Sequence, residues 1–190
     1  MLNRVFIVLF LLFPALTPSY AQGELPGKSS LKGDITILED SKYFDVLLSR
    51  INDAGKDILI SMYVFKTTDR NTNPANMIKD ALIRAAHRGV RVKVLLEKED
   101  GEGGTINSDN EHTAEMLRKG GVTVYFDSPW KRTHAKAIVI DKRYTFIGSH
   151  NLTSSALGHN KELSLLIDSE DVADRTGKYI EEMMKRAGGR

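Results

Sequence analysis

The sequence contains no cysteine among its 190 residues. Disulfide bonds, thiolate nucleophiles and cysteine-ligated zinc are therefore excluded, although this absence does not fix the cellular compartment. An excess of charge of one sign is also missing, and a formal net charge of +2 gives no global argument for a nucleic-acid partner. There is no internal repeat and no low-complexity bias, and 41% hydrophobic residues fit one globular domain with a sizeable core.

The charged residues are unevenly distributed along the chain. Six basic residues and a single acid, Asp141, lie between Lys131 and Lys161. Between Glu97 and Glu115 the balance reverses, with seven acids and one lysine. The local positive charge supports an anionic substrate near residues 131–161, and an ordinary solvated basic surface is the alternative.

The N-terminus has the three parts of a secretory signal. Arg4 precedes the apolar run Val5–Phe13, and Ser19-Tyr20-Ala21 places small residues where a signal peptidase reads them. The run is shorter than the roughly 20 apolar residues that a membrane-spanning helix needs. We therefore expect residues 1–21 to be a signal peptide cleaved after Ala21, and a periplasmic or secreted protein. An uncleaved membrane anchor is the alternative.

The rest of the chain is organised as a linker and one domain. Residues 22–33 are rich in glycine, proline and serine and are predicted to form the linker. Across 34–190, strand-like apolar runs alternate with segments of helical spacing, which predicts an α/β layered domain with a mixed sheet. Strands are predicted at 34–38, 57–65, 90–96, 122–126, 135–140, 145–147 and 162–167, and helices at 41–54, 74–88, 109–119 and 171–186. The short link between the fifth and sixth strands favours an antiparallel hairpin.

One pair of residues carries chemistry that a buried strand does not explain. His134 and Lys136 are two residues apart on a predicted strand, so their side chains project from the same face. A buried ammonium needs a partner, and an anion bound between the two side chains would supply one. Lys136 would then provide charge, and His134 a nitrogen that can attack or carry a proton. A structural histidine is the alternative.

A second polar group lies about ten residues later. Gly148 lets backbone approach a ligand closely, and Ser149 and Asn151 add a hydroxyl and an amide. A helix opening after them, with Asn151 or Thr153 as its cap, would direct its N-terminus toward phosphate oxygens. Glu162 begins the next strand, where a carboxylate could hold an imidazole in one tautomer.

These residues resemble the signature of the phospholipase D superfamily. The pattern HxKx4Dx6GSxN is matched at every fixed position, by His134, Lys136, Asp141, Gly148, Ser149 and Asn151. Glu162 falls where many members carry a downstream glutamate. The segments 57–65 and 81–92 also resemble the family's second strand and its passage from helix into third strand. The resemblance covers about Ile35 to Ile167 and implies an α/β/α sandwich with a central mixed sheet.

The resemblance implies a metal-independent phosphodiesterase that uses no cofactor. One histidine attacks phosphorus and forms a phosphohistidine, and a second protonates the leaving oxygen and then activates water. His134, Lys136, Asp141 and Asn151 are assigned to catalysis, and Gly148, Ser149 and Glu162 to substrate binding. For Asp141 the alternation of the strand favours an orienting or structural role. No histidines and carboxylates are paired at metal spacing, so no metal site is predicted.

The motif occurs once, whereas the mechanism needs two histidines. The chain is similar to short single-motif members of the bacterial periplasmic nuclease branch and the mitochondrial-surface branch, which implies a two-fold homodimer with a shared site. The predicted function is a non-specific endonuclease that cleaves DNA and/or RNA. The alternatives are a phospholipase D-type hydrolase of a phospholipid headgroup and a nucleic-acid-binding protein without turnover.

The remaining histidines and the single tryptophan are weaker candidates. His87 and His112 are expected at the surface, and His150 should point away from the site residues that flank it. His159 lies in a predicted loop and could line the cleft. Trp130 could stack on a base or pack at the contact between two copies.

Overall fold

The computed structural model describes residues 31–69, 72–100, 104–128 and 131–188. The expected signal peptide at 1–21, most of the linker and Trp130 lie outside these residues. The described strands are β1 (Asp34–Glu39), β2 (Asp57–Met62), β3 (Arg91–Leu96), β4 (Thr123–Phe126), β5 (Lys136–Ile140), β6 (Tyr144–Gly148) and β7 (Leu163–Asp168). The described helices are α1 (Lys42–Asp53), α2 (Pro74–His87), α3 (Thr105–Lys119), α4 (Ser154–Gly158) and α5 (Glu170–Gly188).

The strands form one mixed sheet in the order β1-β7-β6-β5-β2-β3-β4. The neighbours β2, β3 and β4 are parallel, and all other neighbouring pairs are antiparallel. The predicted hairpin is confirmed, because β5 and β6 pair antiparallel with Ala137 opposite Ile147. The α/β class and the mixed sheet predicted from the sequence are therefore both observed.

The two faces of the sheet are covered unequally. On one face α1, α2 and α3 bury a large core that includes Leu47, Leu82 and Leu117. On the other face α5 covers a smaller cluster, in which Ile180 and Met184 pack with apolar residues of β2, β3 and β5. Every residue of β2 is buried, as expected for a central strand with cover on both faces. The three layers form the α/β/α sandwich.

Strand direction decides where the site forms. The parallel strands β2, β3 and β4 end at the same edge of the sheet. Their antiparallel neighbour β5 begins at that edge, β6 ends there and β7 begins there. His134 before β5, Asn151 after β6 and Glu162 before β7 therefore share one edge, which we call the site edge. Asp141, after β5, lies at the opposite edge.

Two element boundaries differ from the prediction, and the structure decides which residue caps α4. The second strand ends at Met62, before the predicted end, because the chain leaves the sheet and Phe65 forms an isolated bridge with Leu152. Helix α3 begins at Thr105, before the predicted start. Helix α4 is capped by Thr153, whose Oγ1 accepts from the Ala156 N–H at 3.1 Å. Within the described ranges, no helix combines the length and apolar character needed to cross a bilayer.

Candidate active site

The site centres on His134 and Lys136 at the site edge. The Lys136 Nζ donates to the His134 carbonyl oxygen at 3.0 Å and lies 3.4 Å from His134 Nδ1. The His134 ring packs against the Tyr63 ring, with 4.5 Å between their centroids and a tilt of 55°. The Lys136 ammonium is 5.0 Å from the same Tyr63 ring. The imidazole and the ammonium therefore lie side by side on an aromatic support, with the imidazole exposed to solvent.

The electrostatics around His134 favour the neutral form of its imidazole. The positive charge of Lys136 lowers the pKa of His134, with smaller contributions from desolvation and from Arg132. Desolvation also lowers the pKa of Lys136, and the negative charge of Glu162 opposes that shift. A neutral imidazole keeps a ring nitrogen with a free lone pair, so this environment favours the form of His134 that can act as a nucleophile.

Asn151 follows β6 at the same edge of the sheet and is held by the segment that leaves β2. Its Oδ1 accepts a hydrogen bond from the N–H of Val64 at 3.3 Å, and Val64 is the residue after Tyr63. Among the described residues its Nδ2 has no hydrogen-bond partner, so this group is available to donate to a ligand oxygen. The amide and the Lys136 ammonium are the kind of donors that stabilise charge developing on phosphoryl oxygens.

Ser149 and Glu162 are bonded to each other, not to His134. The Ser149 hydroxyl donates to Glu162 Oε2 and accepts from the Leu163 N–H at 3.0 Å. The other oxygen, Glu162 Oε1, accepts from Asn160 Nδ2 at 3.1 Å. The carboxylate does not orient the His134 imidazole in this structure. Its negative charge acts instead on Lys136.

Gly148 is required by packing between strands. A Cβ added there would lie 2.2 Å from Ser164 Oγ and 2.6 Å from the Leu163 carbonyl oxygen. The close approach that glycine permits is therefore to β7, and it brings Ser149 within reach of Leu163 and Glu162. This packing is a reason for the glycine that the sequence did not indicate, and the ligand contact expected there stays a prediction.

Asp141 is remote from the imidazole and has a structural role. Its carboxylate accepts three backbone N–H groups, from Gly55 at 2.9 Å, Lys56 at 2.7 Å and Asp57 at 3.1 Å. Asp141 also has a φ of 54° in the turn between β5 and β6. It joins that turn to the turn between α1 and β2 at the opposite edge of the sheet. The motif groups Asp141 with catalytic residues, but this position does not allow contact with a substrate at His134.

His150 and His159 do not join the site. His150 is fully buried and stacks on Tyr43 with 4.2 Å between ring centroids. Its Nδ1 lies 2.7 Å from Ser164 Oγ and its Nε2 lies 2.9 Å from the Asp40 carbonyl oxygen, so it points away from the site residues as expected. His159 is exposed after α4 and lines a separate depression with Phe44, not the cleft at His134.

Sequence reasoning missed a network that holds the residues before β5. Glu97 is 1% exposed, and its carboxylate accepts the Thr133 N–H at 2.5 Å. The Thr133 hydroxyl donates to Asp127. Burial is the main cause that raises the pKa of Glu97. Two carboxylates thus fix Thr133, the residue immediately before His134.

A second part of the network reaches the aromatic support. The Tyr63 hydroxyl donates to Glu99 Oε1 at 3.1 Å, and Arg132 forms an ion pair with the same oxygen at 3.0 Å. Tyr63, Glu97 and Asp127 each come directly after one of the three parallel strands. The rule that parallel strands end at one edge could have placed these residues beside His134, once the strand order was known.

Asn110 of α3 ties two of these strand ends together. It is fully buried, and its Nδ2 donates to the Tyr63 and Glu97 carbonyl oxygens at 2.9 and 3.0 Å. Its Oδ1 accepts from the Phe65 N–H at 2.9 Å. No pattern in the sequence marks this asparagine. Within the described ranges, no three His, Asp or Glu side chains are grouped as metal ligands.

Comparison with known proteins identifies the family. A family model described as the phospholipase D-like domain of cardiolipin synthase matches residues 47–184. The chain belongs to the phospholipase D-like family. This confirms the resemblance found in the motif. Members of this superfamily act on phosphodiester bonds, which agrees with the imidazole and the hydrogen-bond donors at the site edge.

The curated relatives are longer than this chain. Cardiolipin synthase B of Shigella flexneri is 31% identical over 131 residues, which cover 63% of this chain and 30% of the relative. Phospholipase D of Rickettsia bellii is 30% identical over 111 residues, covering 58% of this chain and 51% of that protein. The matched part therefore spans about a third to a half of the relatives' length.

Two solved structures share the fold. Nuc, a phospholipase D family member from Salmonella typhimurium, superposes on this chain with a TM-score of 0.68 at 22% identity. The superposition covers 82% of this chain and 96% of Nuc. NucT from Helicobacter pylori gives a TM-score of 0.64 at 19% identity and covers 82% of this chain and 98% of NucT. At these identities the likeness shows the fold alone.

Proposed function

We propose that this protein is a phosphodiesterase that cleaves DNA and/or RNA without sequence specificity, through a phosphohistidine on His134. The observation that carries the proposal is the exposed His134 imidazole beside the Lys136 ammonium, which lowers its pKa, with the Asn151 amide at the same edge of the sheet. Nuc and NucT, whose lengths this chain covers almost completely, support a nucleic-acid substrate.

The proposed reaction has two steps. In the first, a ring nitrogen of one His134 attacks phosphorus, the P–O bond to the leaving group breaks, and a protonated second histidine gives its proton to the leaving oxygen. In the second, that histidine takes a proton from water, the resulting hydroxide attacks phosphorus, and the N–P bond breaks. Lys136 and Asn151 stabilise the non-bridging oxygens in both steps.

The second histidine is proposed to come from a second copy of the chain. The other histidines of the described residues are His87, His112, His150 and His159, and none of them contacts His134. His150 is buried against Tyr43 and bonded to Ser164, and His159 lines a separate depression. The site of a single chain therefore lacks a general acid of this type. In a two-fold dimer, the His134 of each copy would serve the other, and the two histidines would titrate as a coupled pair.

An uncovered apolar surface supports this dimer. Ile37 of β1 lies opposite Leu165 of β7, and Leu165 lies opposite Ile147 of β6. On its other side Ile147 lies opposite Ala137 of β5, which packs in the cluster under α5. These residues share one face of the sheet, and among the described elements α5 does not cover the part of that face that they form. Ile37 remains 61% exposed and Ile147 43% exposed, in a row that ends beside Gly148. A contiguous exposed apolar patch marks an interaction surface, and a second copy would bury it next to the site.

The proposal is tested on purified protein with mixed DNA and RNA substrates in excess chelator. We expect cleavage by the unaltered protein, none by His134→Ala, and an acid-labile phosphohistidine in quenched reactions. Cleavage that needs a divalent metal, or that persists in His134→Ala, would contradict the mechanism. Tight binding without any hydrolysis would instead support a binding protein.

A phospholipid is the second candidate substrate. Two observations favour it: relatives named cardiolipin synthase and phospholipase D, and the exposed apolar row at Ile37 and Ile147, which could contact lipid. Phosphatidylglycerol vesicles offered to the same preparation decide between the substrates. Headgroup release or transfer with no nucleic-acid cleavage would favour the lipid reaction.

Export is proposed from the N-terminal pattern. Cleavage after Ala21 would leave the catalytic domain in the periplasm or outside the cell. Mass spectrometry of the N-terminus of the protein made in a bacterial host tests this. An N-terminus at Gln22 is expected, whereas retention of Met1 or Leu2 would favour the membrane anchor.

A further inference from the structure

A cleft opens from His134 along the last turns of α5. It has a volume of about 560 Å³ and lies between residues 131–135 and the C-terminal half of the helix. The side chains that give the cleft its binding chemistry are Lys131, Arg132, Tyr179, Met183, Lys185 and Arg186. His134 is one of the lining residues, so a ligand bound in the cleft would lie beside its imidazole.

The rim of the cleft is strongly basic. Four cationic side chains line it, at positions 131, 132, 185 and 186. Within the described part of the chain, Lys131 and Lys185 form no ion pair, whereas Arg132 pairs with Glu99 at 3.0 Å and Arg186 with Glu182 at 3.9 Å. The single carboxylate of the lining, Asp127, already accepts from the Ser128 N–H and the Thr133 hydroxyl. The rim therefore has positive charge available for an anionic ligand.

The wall formed by α5 is apolar. Tyr179 is 59% exposed, although most large apolar side chains of the protein are buried. Met183 lies one turn further along α5, half-buried, with its sulfur 4.0 Å from the Thr133 hydroxyl. An exposed ring beside basic groups is the arrangement on which nucleic-acid bases stack, and every base offers a π face for it.

We propose that this cleft binds a single-stranded segment of nucleic acid next to the scissile phosphate, with phosphates on the basic rim and one base stacked on Tyr179. The strand must be single at this point, because bases within a duplex are stacked on one another and present no free face to the ring. A phospholipid headgroup would match the basic rim but has no ring for Tyr179. The inference rests on the proposed nuclease function and names its substrate class.

Stacking is tested by fluorescence anisotropy in the His134→Ala background, which prevents cleavage, with a labelled single-stranded oligonucleotide. Tyr179→Ala should weaken binding about tenfold, the order expected for losing one base stack. Tyr179→Phe keeps the ring and should bind as the parent does. Binding of the matching duplex should change little in either variant.

The basic rim is tested by salt dependence. Because each phosphate contact to a single strand adds about 0.7 to the slope of log affinity against log salt, Lys185→Gln with Arg186→Gln should reduce the slope by about 1.4. The matched control is Lys56→Gln with Lys142→Gln, which removes the same charge at the opposite edge of the sheet and should leave the slope unchanged.

A small chromogenic diester, bis(p-nitrophenyl) phosphate, separates the inference from the proposed function. With His134 intact, the cleft variants should hydrolyse it at the parent rate, since it needs only the groups at the site edge. A parent protein that hydrolyses the diester but neither binds nor cleaves nucleic acid would overturn the nuclease proposal. Nucleic-acid cleavage and binding that are unaffected by the cleft variants would overturn the cleft assignment alone.

Three further outcomes would also overturn the cleft assignment. The first is an equal loss of single-strand and duplex binding in Tyr179→Ala. The second is a loss of phosphatidylglycerol-vesicle binding in the cleft variants with oligonucleotide binding intact, which would assign the cleft to lipid. The third is a change in molar mass of Tyr179→Ala in light scattering, which would place the ring at the contact between copies.

Discussion

Replacing Asn110 by alanine should destabilise the protein and impair the site together. The side chain makes three buried hydrogen bonds, at 2.9 Å to the Tyr63 carbonyl, 3.0 Å to the Glu97 carbonyl and 2.9 Å from the Phe65 N–H. At about 1 kcal/mol net for each bond, the free energy of unfolding should fall by about 3 kcal/mol. That is a large part of the roughly 5–15 kcal/mol that stabilises a typical domain.

Losing the hydrogen bonds of Asn110 should also reduce catalysis. Tyr63 supports the imidazole and Glu97 holds the residue before it, so releasing both strand ends should lower kcat on a small diester more than it raises KM. Asn110→Asp is expected to be no better than alanine, because it replaces the amide donor with an oxygen that faces two carbonyl oxygens.

The measurement is urea unfolding followed by circular dichroism, with kcat taken at a temperature where the variant remains folded. Asn52→Ala is the control, since Asn52 is exposed on α1 and its loss should change stability by less than about 0.5 kcal/mol. A loss below about 1 kcal/mol in Asn110→Ala, or an unchanged kcat, would refute the view that this amide organises the site edge.

Three other variants test the site and the surface. Asp141→Asn should lower the free energy of unfolding by about 1–2 kcal/mol, because one amide oxygen cannot accept all three N–H groups. It should leave kcat on a small diester unchanged. A large loss of kcat in folded protein would restore a catalytic role for Asp141. Lys136→Gln removes the charge that lowers the pKa of His134, so that pKa should rise toward 6.5. The acid limb of the pH–rate profile should then move to higher pH. An NMR titration that shows no rise in the pKa of His134 would contradict the electrostatic account. Ile37→Asp should give a monomer in light scattering with little activity, whereas Met77→Asp, at an exposed position on α2, should remain dimeric; a dimeric Ile37→Asp protein would move the contact elsewhere.

The alternation of strands and helices could be predicted because it depends on local patterns. Burial on both faces makes β2 continuously apolar, and helical spacing marks α1 and α2. The predicted boundary that was wrong for β2 depends on residues far away in the chain. The end of β2 is set by the bridge of Phe65 to Leu152, and no residue near Met62 signals it.

The same division holds within the site. His134 and Lys136 share a face because of strand alternation, which is local, so the pair could be recognised in advance. Glu162 could be recognised from the sequence as a polar residue near the site. Its hydrogen-bond partner, Ser149, could not be recognised, because Ser149 reaches Glu162 only through the close contact of Gly148 with β7.

The sequence by itself determined which functional groups this protein carries: an imidazole, an ammonium and an amide in the order that marks the phospholipase D-like family. Only the tertiary structure decided how that chemistry is supported. It brought Tyr63, Glu97 and Asp127 to one edge, moved Asp141 to the other, and left both a basic cleft and an apolar row open. The physical reason is that side-chain alternation is a property of one strand, whereas strand order and the cover of a sheet depend on packing between residues far apart in the chain.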